Sequence, residues 1–107
     1  MVYNSTVLYP NDEGATFDVD YYINTHMPIV QKAWGKHGLI DVQLIHYDAS
    51  FDASKRYNFG AVLTWESKDS IKTAVASPES KEVFEDVPKF RNRKAHFLVG
   101  ELVQVPK

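Results

Sequence analysis

Two rhythms of apolar and polar residues run along the chain, one of period two and one close to period 3.6. Val2 to Tyr9 is rich in β-branched and aromatic residues and stops at Pro10, which reads as a strand. Pro10 to Phe17 is a polar loop. Asp18 then offers a helix N-cap, and Asp20 places a negative charge in the first turn, where the helix dipole favours it. Val19, Tyr22, Ile23, His26, Ile29, Val30, Ala33 and Trp34 follow on an apolar arc about 140° wide. Pro28 falls on the opposite side with Asn24, Gln31 and Lys32. A proline there removes one backbone hydrogen bond, so the spacing predicts a kinked helix or two abutting pieces. Gly35 and Gly38 end it.

Leu39 to Tyr47 and Tyr57 to Trp65 read as two further strands joined by the polar stretch Asp48 to Arg56. Ser67 caps a second helix carrying Ile71, Ala74 and Val75. Ser77-Pro78-Glu79 looks like a restart, with serine as cap and proline at the first helical position, and Val83, Phe84 and Val87 supply its apolar side. Ala95 to Val105 is the last strand. The order strand, helix, strand, strand, helix, strand is the ferredoxin-like split βαβ pattern, an α+β fold with a four-stranded antiparallel sheet and helices on one face.

Strand parity carries a second message. Ala95, Phe97, Val99, Val103 and Val105 share one face, as do Phe59, Ala61, Leu63 and Trp65, and these faces are expected under the helices. The opposite parity mixes Ile45, Tyr47, Val62, Leu98 and Leu102 with Gln43, Asn58, Thr64 and Gln104. That much apolar area on an uncovered face suggests a partner sheet, most economically a second copy of the chain.

Composition narrows the chemistry. With 107 residues the chain is expected to form a single domain, residues 1–107. By size scaling it exposes roughly 6,000 Å² when folded and roughly 18,000 Å² when unfolded. It is 44% hydrophobic and 24% charged, which disfavours disorder. A net charge of −2 provides no global positive field for nucleic acid or anionic lipid. The absence of cysteine excludes disulfides, thiolate nucleophiles and cysteine-ligated metals. No apolar run exceeds three residues, so no membrane span is expected, and the N-terminus lacks signal-peptide character; the cytoplasm is the expected location.

The four histidines, His26, His37, His46 and His96, match no local metal motif, and no phosphate loop, nucleophile elbow or dinucleotide fingerprint is present. Neither a metal nor a cofactor is expected. His26 lies near the middle of the first helix's apolar arc and points at the sheet. Burial there keeps an imidazole neutral and suited to accept a proton. The competing reading is a core histidine bonded to a backbone carbonyl. His46 shares parity with Ile40, Val42 and Leu44 and could face the same layer, unless a bulge changes the register. Tyr22, Trp65, Phe84 and Phe90 could line a common pocket with His26, or simply fill a core of large aromatics. His96 belongs to the mixed face, and His37 reads as a solvated turn residue. The basic run Lys89, Arg91, Arg93 and Lys94 reads as a solvated loop, with reception of an anionic substrate as the alternative.

Asp18-x-x-Tyr21-Tyr22-x-x-x-His26-x-Pro28, preceded by Tyr9-Pro10 and Gly14-x-x-Phe17, resembles the EthD family, called after ethyl tert-butyl ether degradation. Ser77-Pro78-Glu79 and Asp86-Val87-Pro88-x-Phe90 look like that family's second-helix signature. The resemblance runs from about Val2 to Leu102 and is weakest in the loop between the middle strands. It implies a protomer whose sheet pairs with a second copy into a dimeric α/β barrel, with the helix histidine looking into a helix–sheet cleft. Relatives of this architecture include cofactor-independent monooxygenases, isomerases, haem-binding peroxidase-like proteins and polyketide cyclases or dehydratases, so the fold licenses several chemistries.

Two functional readings follow. In one, the chain is a small enzyme acting on an apolar metabolite, as in oxidative ether or xenobiotic breakdown, with His26 as acid/base; isomerisation or polyketide-type cyclisation and dehydration are variants of it. In the other, it is a non-catalytic accessory protein that binds or sequesters a hydrophobic compound.

Overall fold

A computed structural model describes residues 2–106 of the chain. Four strands, β1 (Tyr3–Pro10), β2 (Leu39–His46), β3 (Tyr57–Trp65) and β4 (His96–Glu101), form one antiparallel sheet in the order β2-β3-β1-β4. Helices α1 (Val19–Tyr21), α2 (Met27–Trp34), α3 (Lys68–Ala76) and α4 (Ser80–Asp86) make the second layer. This is the ferredoxin-like arrangement of the α+β class expected from the strand and helix order.

Period-two patterning puts the core where it belongs. Ser5, Val7 and Tyr9 of β1 and Phe59, Ala61, Leu63 and Trp65 of β3 are all buried beneath the helices. Each layer carries one buried polar link of its own. Trp65 Nε1 donates to Ser5 Oγ at 2.9 Å across the sheet, and Trp34 Nε1 donates to Ser80 Oγ at 2.7 Å between α2 and α4. Ser80 Oγ in turn donates to the Ala74 carbonyl, so one hydroxyl satisfies two helices.

The first helical segment is continuous but not uniform. Asp18 caps α1 by accepting from Tyr21 N at 3.1 Å. Residues Tyr22–His26 then form a π turn, in which Met27 N bonds the Tyr22 carbonyl, before α2 resumes. Pro28 sits in the first turn of α2, where its missing N–H costs least. The wider turn also moves the apolar arc: Met27 is buried, while Ile23, expected inside, is largely exposed. Gly38 ends the segment at φ +101°, and a Cβ there would lie 2.7 Å from Ser70 Cβ.

Four details depart from the sequence expectation. A register shift between Leu39 and Asp41 turns Leu39 inward and leaves Ile40 out, so Ile40 does not share a face with Val42 and Leu44. Ser77 does not start α4 but ends α3: its backbone N–H and its hydroxyl, the latter at 2.6 Å, both donate back to the Ala74 carbonyl, and α4 begins only at Ser80. β4 stops at Glu101, short of Val105. Finally, β4 is an edge strand that the helical layer does not cover, so Phe97 and Val99 are 60% and 55% exposed although their register places them beside Val7 and Ser5. Among the described residues, no helix is long and apolar enough to cross a membrane.

Ser80 is the polar hinge of this packing. Replacing it (Ser80→Ala) leaves the buried Trp34 indole N–H unpaired and is expected to cost about 1–3 kcal/mol. The urea midpoint should fall with the slope unchanged; an unmoved midpoint would refute a structural role for the bond.

Candidate functional site

His26 closes the π turn and is 4% exposed, facing the sheet. Its Nδ1 lies 3.0 Å from Oδ2 of Asp86, the last residue of α4, which is itself buried. The other carboxylate oxygen, Oδ1, accepts from Tyr21 Oη at 2.6 Å and lies 3.6 Å from Lys89 Nζ. Burial resists ionisation of Asp86, but the hydrogen bonds from Tyr21 and His26 outweigh it and hold the carboxyl below its ordinary range. Tyr21 is pushed up to about 12 by its bond to Asp86, so the phenol keeps its proton and donates. An ionised carboxylate can only accept, and His26 must therefore carry its proton on Nδ1. Nε2 is left with a free lone pair and no protein hydrogen-bond partner among the described residues.

Burial also decides the ring's charge. It lowers the His26 pKa despite the opposing pull of Asp86, and the positive charge of Arg91 adds to the lowering. The imidazole is thus neutral at physiological pH, oriented by a carboxylate on one side and basic on the other.

The His26 imidazole lines a cavity of about 130 Å³ between helices and sheet. Val7, Leu63, Met27 and Val30 make its apolar wall, and Tyr9, Tyr22 and Arg91 contribute polar atoms. Phe84 and Phe97, both exposed, stand at the side left open over β4. An apolar cavity of about 150 Å³ admits benzene, so this volume suits one small ring or a short branched chain. Tyr9 Oη donates to Tyr22 Oη at 3.1 Å; burial pushes Tyr9 up to about 12 and raises Tyr22 as well, keeping both phenols protonated.

Of the residues singled out from the sequence, His26, Tyr22 and Phe84 come together at this cavity. Phe90 does not line it but packs behind the imidazole, with ring centroids 4.4 Å apart. Trp65 is core, deep under Trp34 and hydrogen-bonded to Ser5. His46 stands on the helix-side face but at the sheet's outer edge, exposed and 6.0 Å from Phe59 between ring centroids; it does not share a cavity with His26. His37 is not the solvated turn residue anticipated, being partly buried with Nε2 3.6 Å from Glu79 Oε2. His96 is exposed and hydrogen-bonded to Tyr57 Oη at 2.8 Å. Among the described residues, no three His, Cys, Asp or Glu side chains gather as a metal site.

Sequence reasoning missed three participants. Asp86 stands inside the Asp-Val-Pro-x-Phe signature, but a separation of 60 positions along the chain hides its contact with His26. Tyr21 lies next to Tyr22 and was passed over for it. Arg91 belongs to the basic run that reads as a solvated loop or as a receptor for an anionic substrate, and it is half-buried at the cavity. Arg93 does have the surface role expected of such a run, bonding Asp12 Oδ2 at 2.8 Å and the Glu13 carbonyl.

The fold and site define a ferredoxin-like α+β protein with a histidine–carboxylate pair opening on a small, mostly apolar cavity. A scan against family models and a search of curated proteins each returned no match. Solved structures are similar over the whole chain. An EthD-like protein from Ralstonia eutropha shares 23% identity over 96% of this chain and 93% of its own, with a TM-score of 0.81. An ethyl tert-butyl ether degradation family protein from Bacillus halodurans shares 22% over 96% and 100%, with a TM-score of 0.76. SnoaB, a cofactor-independent oxygenase from Streptomyces nogalater, shares 10% over 97% and 94%, with a TM-score of 0.66. The fold resemblance drawn from the sequence motifs is therefore met in three dimensions by EthD-type structures.

The depressed His26 pKa has a thermodynamic consequence. The unfolded chain takes up this proton near pH 6.5, before the folded chain does, so folding stability falls as pH drops below about 6.5. Asp86, also depressed, adds its own loss only below about pH 3.9. Denaturant midpoints of wild type and His26→Gln, compared between about pH 7 and pH 5.5, should show a shallower loss in the variant. Parallel losses would mean that His26 is not buried in its neutral form.

Proposed function

We propose that the protein is a small enzyme of EthD-like architecture that takes a proton from an apolar, single-ring-sized metabolite. His26 Nε2 is the base and Asp86 the residue that orients it. The observation carrying this reading is the Asp86–His26 hydrogen bond, which fixes the tautomer and leaves the basic nitrogen at the cavity. When His26 takes up a proton, the ionised Asp86 beside it stabilises the imidazolium. Tyr21 holds Asp86 in place, and Tyr22 stacks on the imidazole with ring centroids 5.3 Å apart. The apolar wall of the cavity lowers the polarity around the reacting atoms. Such proton transfer serves isomerisation, dehydration or the first step of cofactor-free oxygenation, and the oxygenase among the structural neighbours supports chemistry run by the chain's own residues. Work in oxidative breakdown of ethers or other xenobiotics is the pathway reading the EthD likeness favours.

A panel of small cyclic and branched carbonyl compounds, followed by NMR for solvent deuterium uptake next to the carbonyl, tests the chemistry. Wild type should exchange at least one of them, and His26→Ala should be slower by on the order of 10²–10⁴. Exchange that survives the substitution eliminates His26 as base. Tight binding of the panel without exchange favours the alternative reading, an accessory protein that sequesters apolar compounds.

We also infer that the working unit is a homodimer paired through the helix-free sheet face, as in a dimeric α/β barrel. The chain exposes 7148 Å², against roughly 6,000 Å² for a compact monomer of this mass. Leu98, Leu102 and Ile45 stand exposed on that face. The partner is a second copy of the chain. Sedimentation should give a dimer at micromolar concentration, and Leu98→Glu should dissociate it; a wild-type monomer would contradict the pairing.

A further inference from the structure

Arg91 is a cation without a counter-ion at the edge of an apolar cavity. It forms no ion pair with any described carboxylate, although Lys36, Lys81, Lys89 and Arg93 each do. Its Nη1 donates to the Arg93 carbonyl, its Nε is enclosed with no acceptor, and its guanidinium carbon sits 5.9 Å from the centre of the Tyr9 ring. An enclosed guanidinium N–H without an acceptor is costly, and more so for a charged group. Among the other polar side chains at the cavity, Trp34 already gives its indole N–H to Ser80, which leaves the Tyr9 and Tyr22 phenols and the His26 imidazole. Arg91's charge reaches all three, lowering the pKa of each, although burial dominates in every case.

We propose that Arg91 is the substrate's oxyanion partner, and that the substrate class is a phenol or an enolisable ketone whose deprotonation places negative charge on oxygen. This deepens the reading of His26 as base and rests on it. In the step, the C–H or O–H bond of the substrate breaks and its proton moves to His26 Nε2. The electron pair left behind becomes the lone pair of a phenolate, or is delocalised to the oxygen of an enolate. Charge is conserved: one neutral base becomes imidazolium beside Asp86 while one neutral substrate becomes an anion beside Arg91. The two new charges are each met by a preplaced opposite charge, Asp86 beside the imidazolium and Arg91 at the same cavity. A guanidinium, always charged and with fixed donors, suits the oxygen better than a lysine would. The apolar wall makes the contact stronger than it would be in water.

The probe is 4-nitrophenol, whose ionised form is yellow, with nitrobenzene as the ring lacking the ionisable oxygen. Wild type should bind 4-nitrophenolate at least about tenfold more tightly than nitrobenzene and shift the ionisation of the bound phenol toward the anion. Arg91→Met should abolish both effects, and Arg91→Lys should keep part of them. His26→Ala must retain the preference for the anion, which separates this proposal from the identity of the base. Loss of deuterium exchange in His26→Ala with anion preference intact supports both assignments. Exchange that does not depend on His26, with the preference intact, sinks the base and spares Arg91. Should Arg91→Met fail to fold, wild type alone decides: equal affinity for 4-nitrophenolate and nitrobenzene overturns the proposal. So does an Arg91→Met protein, folded by near-ultraviolet dichroism, that prefers the anion as strongly as wild type.

Discussion

Everything at the site depends on one carboxylate taken out of water. Asp86 ends α4 underneath the first helical segment, and an ionised group in that position is tolerable only if its oxygens are hydrogen-bonded. Tyr21 and His26 provide those bonds from two successive turns, at 2.6 Å and 3.0 Å. Hydrogen bonds to a charged group contribute roughly 1.5–3 kcal/mol each, about twice the neutral kind. The contact therefore fixes where α4 ends relative to the first helical segment. It also fixes which nitrogen of His26 carries the proton, so packing and chemistry share one cause.

The π turn is what lets two turns reach one carboxylate while a third residue faces the cavity. In a uniform α-helix, Tyr22 and His26 would project one above the other with Ile23 beside them on the buried side. Widening the turn by a residue swings Ile23 out and brings Met27 in. Tyr22 and His26 stay inside, stacked at 29° between ring planes. Pro28 makes the widening inexpensive because it has no N–H to give to the preceding turn. A π turn of this kind is uncommon and tends to sit at functional positions. Here it lies between the cap that starts the helix and the histidine that serves the cavity.

Much of this was legible in the chain. Strand and helix order, the Asp18 and Ser67 caps, the β3 limits and the burial of His26 follow from periodicity and capping chemistry, because each depends on near neighbours. Asp86 and Arg91 were not legible as partners of His26, since only tertiary packing joins α4 and the loop after it to the first helical segment. His46 shows the converse failure. Its parity was read correctly, since its register partner Phe59 is buried, but parity gives the face of a sheet and not the distance from its centre. A side chain on the right face of an edge strand can still miss the cavity. The misplaced expectation for Ile40 has the same root, because one register shift at the start of β2 exchanges the faces locally.

β4 separates two kinds of exposed apolar surface that sequence parity treats alike. Phe97 and Leu98 are adjacent and almost equally exposed, at 60% and 59%, yet they stand on opposite faces. Phe97 lies on the helix side, where the layer stops short of the edge strand, and it lines the same cavity as His26. Leu98 lies on the bare side, which none of the described helices covers. Extending the helices to bury Phe97 would improve the core and seal the cavity. Leaving the edge open costs apolar exposure and keeps the basic nitrogen reachable, a local sacrifice of packing of the sort expected where a fold carries a site.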